Sequence, residues 1–385
     1  MTRHHRSALI LGFLGLLALV IVTLGTGEAI ARRREWTRTT VPGTTPLLYY
    51  RHRRLPHALA RNSDYFGWVQ INRWGFRGPD IELAPRPGSL RIMAVGGSTT
   101  YDSQARDNDN TWPARLGARL NDSGIQPTEV INAGVPGYTV IDNLIRLEMG
   151  LYAFSPNVVI LYHAHNDLFA ALISARQSPE STDRSWSRPG EIPTVLPWVR
   201  WLEHHSLFYT KLQGRIRALA FLFRGRRAAN DNSRIPDWTA VIEHGANKFR
   251  RDLRAFLAVA QSQGIRVAIP QVVHISASDT TTMTPAVREM WERSVPYAPV
   301  EVVLAGYQAY NTVLREVADE YQAWYFPLDA SALSQPDGYA FGDPIHFNDI
   351  GSDRMAAAVA DAIQASILDE FPNTAAAGST RVQIP

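Results

Sequence analysis

From Leu90 onward, short apolar runs bounded by turn residues alternate with longer stretches whose apolar positions recur every three to four residues. The runs Leu90–Val95, Glu129–Ala133, Val158–Tyr162, Arg266–Val272 and Ala323–Leu328 read as strands. Their near-continuous hydrophobicity is the pattern of strands buried on both faces. Helical periodicity covers Thr111–Leu120, Ile141–Tyr152, Trp238–Gln263, Val302–Tyr321 and Ile350–Phe371. The first of these opens with Thr111 and Pro113, both favourable at a helix start. The third carries Phe249, Leu253, Phe256, Leu257 and Ala260 on one face and ends at Gly264. Strand-helix alternation predicts an α/β protein with a parallel sheet covered by helices on both faces; the expected architecture is a three-layer α/β/α sandwich with five parallel strands in flavodoxin-like order. Ligands of such sheets bind beyond the carboxyl ends of the strands.

Ahead of this region, Ala8–Leu24 is a run of 17 residues without charge, flanked by Arg3 and Arg6 and by Arg32, Arg33 and Arg34. It reaches the roughly 17–20 residues that a membrane-spanning helix needs and exceeds the about 7–15 of a signal-peptide apolar region. An uncleaved signal anchor is the expectation; Ala29-Ile30-Ala31 is a cleavage-like alternative followed awkwardly by three arginines. Positive charge on both sides leaves the orientation open. The expected organisation is an anchor over 1–31, a linker and packing arm over 32–87, the enzyme-like domain over 88–372 and a flexible tail over 373–385. Within the arm, Tyr65–Asn72 alternates weakly, as a hairpin or a wrap on the main domain would. A gap of about 100 residues separates the third and fourth strands, far beyond an ordinary crossover. An insertion is therefore expected over about 168–236. Gln177–Pro193 reads as loop. Trp198–Arg227, aromatic and basic, reads as a packed helical cap, a lid or a membrane-surface element.

Composition narrows the chemistry. The chain of 385 residues has no cysteine, which excludes disulfides, thiolate catalysis and cysteine-ligated zinc. Its net charge is only +3, and all but Lys211 and Lys248 of its 39 basic residues are arginine. No dense basic tract with interleaved aromatics points to nucleic acid.

Short polar motifs follow the strands in order. Gly96-Gly97-Ser98-Thr99 follows the first, Asn132-Ala133-Gly134 closes the second, and Ala164-His165-Asn166-Asp167 follows the third. Asp343-Pro344-Ile345-His346 precedes the last helix, whose start Asn348 or Asp349 would cap. A serine on a glycine turn, an asparagine beyond a strand and an Asp-x-x-His pair are the parts of acyl-ester chemistry: nucleophile, oxyanion donor and base. Alone, each has a plainer reading as a turn, a cap or a surface histidine. Asp167 is read as a capping or structural carboxylate.

Together, from about Leu90 to Phe371, these blocks resemble the SGNH (GDSL-type) hydrolases. Asn72-Arg73-Trp74-Gly75-Phe76-Arg77-Gly78 is similar to the lead-in of bacterial membrane-anchored members. Two departures stand out. Gly97 occupies a position often held by Asp, and Ala164 replaces a glycine, where its methyl group would narrow the site. The resemblance implies Ser98 as nucleophile, His346 as base, Asp343 as its orienting carboxylate, and an oxyanion hole of the Ser98 N–H, the Gly134 N–H and the Asn166 amide. It implies no metal or cofactor. The implied reaction is hydrolysis of an acyl ester, acetyl in the first instance, on a glycan or other small envelope substrate outside the cytoplasm. Rival readings are an O-acyltransferase using the same residues, a non-catalytic glycan-binding module, and a metal esterase built on His163 and His165, which share a strand face. Glycan acetyltransferases similar to this fold usually carry Asp-x-His; this chain has the hydrolase spacing. A binding module would lack Ser98 or His346, and both are present.

Overall fold

The computed structural model describes residues 3–36, 48–50, 52, 54–65, 67–124, 127–177, 236–275, 283–328 and 340–371, with scattered positions from 202 to 216 and residue 333. The chain opens with one long helix, α1 (Arg3–Trp36). Its window Leu14–Arg33 has a mean hydropathy of 2.0 and no buried residue, so this helix is long and apolar enough to cross a membrane. Two small antiparallel pairs follow: β1 (Tyr49–Tyr50) with β2 (Ala58–Leu59), and β3 (Ser63–Tyr65) with β4 (Val69–Ile71). The second pair is a hairpin running from Ser63 to Ile71, two residues ahead of the Tyr65–Asn72 stretch expected. It joins the main sheet through Arg77, whose N–H donates to the Asn132 carbonyl at 3.2 Å.

The main sheet contains β5 (Leu90–Gly96), β6 (Thr128–Asn132), β7 (Val158–Tyr162), β8 (Arg266–Pro270) and β9 (Trp324–Phe326). All neighbours are parallel, in the order β6-β5-β7-β8-β9. Counted along the chain this is 2-1-3-4-5, the flavodoxin-like order that was expected. Every residue of β5 and β7 is buried, as expected where helices cover both faces.

The helices are α2 (Ser98–Tyr101), α3 (Trp112–Asp122), α4 (Val140–Met149), α5 (His165–Gln177), α6 (Trp238–Ser262), α7 (Pro285–Ser294), α8 (Val300–Glu320) and α9 (Asp349–Glu370). α3 packs on α9, and α6 is surrounded by α4, α5 and α8. Caps set the starts: Thr111 for α3, Asp237 for α6, Thr284 for α7, and Asn348, whose side chain accepts from both Ile350 and Gly351, for α9. Thr139 and Asp142 form a capping box at α4.

Three elements depart from the expected map. α5 occupies the stretch that the insertion was expected to begin, because Leu168, Leu172 and Ala175 bury one helical stripe. A 3-10 turn, Leu151–Phe154, completes the stretch after α4, and α7 was not foreseen. The expected linker from Thr37, the loop Gln177–Pro193, most of Trp198–Arg227 and the tail lie largely outside the described residues. Where the insertion is described, the Ser206 hydroxyl and the Phe208 N–H donate to Glu28 of α1 at 2.8 and 3.0 Å.

One charge lies inside the sheet. Arg91 of β5 is fully buried. It pairs with Glu129 of β6 at 2.7 Å and donates to the carbonyls of Leu83, Phe154, Glu82 and Ala84. Its five N–H groups thus tie β6, the loop before β5 and the 3-10 turn to one strand. Removing one partner of a buried pair is strongly destabilising. Arg91→Met is expected to lower the unfolding free energy by about 3–5 kcal/mol, read from chemical denaturation. A loss below about 1 kcal/mol would show that the network is dispensable.

Candidate active site

The turn after β5 has no room for side chains at its two glycines. A Cβ at Gly96 would lie 2.0 Å from Thr100 Oγ1 and 2.6 Å from the Tyr162 carbonyl oxygen. A Cβ at Gly97 would lie 2.5 Å from the Asn166 amide nitrogen. The chain therefore leaves the sheet tightly and starts α2 at Ser98, whose N–H sits at a helix start with no intrahelical acceptor.

His346 comes from a loop closed on itself. Gly342 N–H donates to the His346 carbonyl at 3.0 Å, Asn348 N–H to the Ala340 carbonyl at 3.0 Å, and the rings of Phe341 and Phe347 pack 5.0 Å apart. His346 Nε2 lies 2.7 Å from Ser98 Oγ, and His346 Nδ1 lies 2.7 Å from Asp343 Oδ2. Asp343 also accepts from the N–H groups of Ile345 and His346 and from the side-chain amide of Gln104 at 2.8 Å. Burial works against its charge, but the His346 contact and these backbone donors outweigh it and hold the carboxyl below the ordinary range. An ionised Asp343 fixes a proton on Nδ1 and leaves Nε2 to accept from the serine hydroxyl.

Asn166 lies in the first turn of α5 rather than on a strand tip. Its amide donates to the Tyr138 carbonyl at 2.8 Å and packs over Gly97, and among the described residues its second N–H has no acceptor. Gly134 does not fit the donor role expected of it. Its N–H donates to Asn132 Oδ1 at 3.1 Å, and a Cβ there would fall 2.1 Å from the Tyr101 nitrogen. It is a packing glycine under α2. Three residues on, exposed Gly137 has φ +82 and makes no hydrogen bond through its N–H among the described residues. Ala164 does not wall the site, being buried in the core.

The two strand-end histidines have separate partners. His163 Nε2 meets Asn143 at 2.7 Å, and its Nδ1 stands 3.6 Å from Asp167. His165 Nδ1 meets the Tyr307 hydroxyl at 2.7 Å. Burial, reinforced by His346 and His274, holds the His165 ring well below the ordinary imidazole range. Among the described residues no group of three His, Asp or Glu side chains is arranged to hold a metal.

Several supporting residues were not singled out by the motifs. Arg77, buried, donates to the carbonyls of Tyr101, Asp102, Ala105 and Asp107 and to Asn108 Oδ1, clamping the segment after Ser98. Asn72 folds the turn that presents it, accepting from the N–H groups of Trp74 and Phe76. His57 bonds the Pro136 carbonyl at 2.8 Å, and Tyr138 donates to the His57 carbonyl, so the arm holds the Gly137 turn. The Asn72–Gly78 block was the visible signal for Arg77; Gln104 and His57 had none.

With this geometry in view, comparison identifies the class. The model of the GDSL-like lipase/acylhydrolase family matches residues 94–354, more than half of the chain. The chain belongs to that family and is an ester hydrolase. Similar solved structures include the acetyl xylan esterase AlAXEase, at 15% identity and TM-score 0.43 over 71% of this chain and 100% of the other. They also include the esterase EstA from Pseudoalteromonas sp., at 13% and 0.40 over 72% and 98%. TesA matches at 16% and 0.41 over 72% and 99%. No curated protein sequence matches the chain.

Asp102 closes α2 with φ 67, and its Oδ2 accepts from the Trp112 N–H at 2.7 Å. Burial pushes its carboxyl up to about 7. The sign follows: the folded state holds a proton that the unfolded chain has already released above about pH 4. Stability from this group is therefore full below pH 4 and is lost as pH rises toward 7. Asp102→Asn keeps the acceptor for Trp112 and abolishes the titration. The stability of the native chain relative to this variant is expected to decline between pH 4 and 7, measured by urea unfolding at several pH values. A constant difference would contradict this.

Proposed function

We propose that the chain hydrolyses an acyl ester carried by a glycan or another small molecule of the cell envelope, with Ser98 as nucleophile, His346 as general base and Asp343 as its orienting carboxylate. The observation that carries this reading is the unbroken chain of two 2.7 Å contacts from Ser98 Oγ through the His346 ring to Asp343. In this mechanism Ser98 Oγ attacks the ester carbonyl carbon and its proton passes to His346 Nε2. Asp343 stabilises the imidazolium without taking the proton. The developing oxyanion accepts from the Ser98 N–H, the free N–H of the Asn166 amide and the Gly137 N–H, which replaces Gly134 in this role. Collapse expels the alcohol, which takes the proton back from His346. Water then attacks the acyl-serine, again with His346 as base, and releases the carboxylic acid. The Asp-x-x-His spacing supports water as the acceptor.

Ser98→Ala and His346→Ala are expected to abolish turnover of a p-nitrophenyl ester and, for Ser98→Ala, labelling by a fluorophosphonate probe. Asp343→Ala should retain a measurable fraction, since it orients the base rather than making bonds. Full activity in Ser98→Ala would refute the serine mechanism.

The apolar surface of α1 supports a bilayer anchor, with the hydrolase domain outside the cytoplasm at the inner membrane. Arg32, Arg33 and Arg34 would then sit at the outer headgroups. A C-terminal alkaline-phosphatase fusion is expected to be active and a C-terminal green-fluorescent fusion dark. The opposite pattern would place the site in the cytoplasm.

A further inference from the structure

Behind the Gly137 turn lies a second cleft, of about 160 Å³, between α4, α5 and α6. Neither Ser98 nor His346 lines it. Asp142, Asp167 and Tyr310 do, and all three are buried. Each also carries an oxygen without a hydrogen-bond partner: Asp142 Oδ1, Asp167 Oδ2 and the Tyr310 hydroxyl. The other oxygens of the two carboxylates are engaged. Asp142 Oδ2 accepts from the N–H and hydroxyl of Thr139, and Asp167 Oδ1 accepts from the Val140 N–H. The carboxylates are thus held in place, each with one acceptor left over. Buried acceptors without donors are costly and rare, and each calls for an explanation.

The charge around the cleft narrows the ligand. Burial and the neighbouring Asp167 both push the Asp142 carboxyl upward, so negative charge is crowded there. Nearby cations are committed elsewhere. Lys248 lines the cleft but its ammonium lies 2.6 Å from Asp252, and Arg146 donates to Asn143 and the Ala133 carbonyl. His163 stands off Asp167 at 3.6 Å. Water or sugar hydroxyls would supply donors but no compensating charge; the volume corresponds to about five waters at roughly 30 Å³ each. The donor set is not that of a metal site. The α5 wall is small and apolar, chiefly Ala170, Ala171 and Ala175, while α6 contributes Val241 together with His244 and Lys248.

We propose that this cleft binds a primary ammonium group, its three N–H bonds directed to Asp142 Oδ1, Asp167 Oδ2 and the Tyr310 hydroxyl, with the carbon next to the nitrogen against the alanine wall. The site is distinct from the serine but mechanically joined to it. Asp167 adjoins Asn166, and Asp142 and Asp167 grip the residues that follow Tyr138, whose carbonyl holds the Asn166 amide. A ligand here is therefore placed to bear on the oxyanion side of the ester site.

The test is calorimetric titration of the full chain in neutral detergent, at constant ionic strength, with n-propylammonium, tetramethylammonium and xylitol. Saturable one-site binding of n-propylammonium is expected, with none for tetramethylammonium, which has the charge but no N–H. Asp142→Asn should weaken binding by about tenfold or more. Tyr310→Phe removes only a hydroxyl that bonds nothing among the described residues. It is expected to fold with an unreduced melting temperature and to bind several-fold more weakly, so it decides the matter should Asp142→Asn fail to fold. Absence of saturable binding, equal affinity for tetramethylammonium, binding of xylitol alone, or unchanged affinity in both variants would each overturn the proposal. Because the readout is binding, the result stands apart from the serine mechanism.

Discussion

The contact between Ser98 Oγ and His346 Nε2 joins two ends of the domain, 248 residues apart in sequence, at 2.7 Å. A hydrogen bond of that length tolerates little movement of either partner. Much of the local structure meets that constraint. Gly96 and Gly97 let β5 turn sharply, Arg77 grips the segment after Ser98, and the Phe341–Phe347 pair closes the loop that carries His346. Gln104 links the two halves by donating to Asp343. Asn348 caps α9 directly behind the histidine, so the loop hangs from a helix packed on α3.

Two buried arginines divide the work of holding the sheet. Arg91 satisfies carbonyls at the start of β5, and Arg77 satisfies them beyond its end. Both use the planar fork of five donors, for which the point charge of lysine is no substitute. The arginine-rich composition therefore has a structural use in at least these two places.

The carboxyl end is itself layered. Asn166 and Asp167 are adjacent on α5, yet one faces the serine turn and the other the acidic cleft. The segment from Gly137 to Val140 runs between them and is held from both sides, by His57 of the arm, whose carbonyl accepts from Tyr138, and by Asp142 and Asp167 beneath. Asp142 and Asp167, which hold the segment whose Tyr138 carbonyl accepts from Asn166, are thus also walls of the acidic cleft.

The amino-acid sequence by itself determined the strands, their alternation with helices and the parallel sheet, because hydrophobic period and run length are local properties. It also put Ser98, Asn166, Asp343 and His346 at the ends of elements, where a parallel sheet gathers them. α5 was legible too, in Leu168, Leu172 and Ala175, but was obscured by the long gap that follows. Only the tertiary structure decided where donors point and what they meet. It turned the Gly134 N–H toward Asn132, left the Gly137 N–H unbonded among the described residues, gave His163 and His165 different partners, and brought Asp142, Asp167 and Tyr310 around one cleft. The reason is physical. Periodicity records which face of an element is buried, whereas a hydrogen bond depends on direction and on a partner that the fold brings from far along the chain.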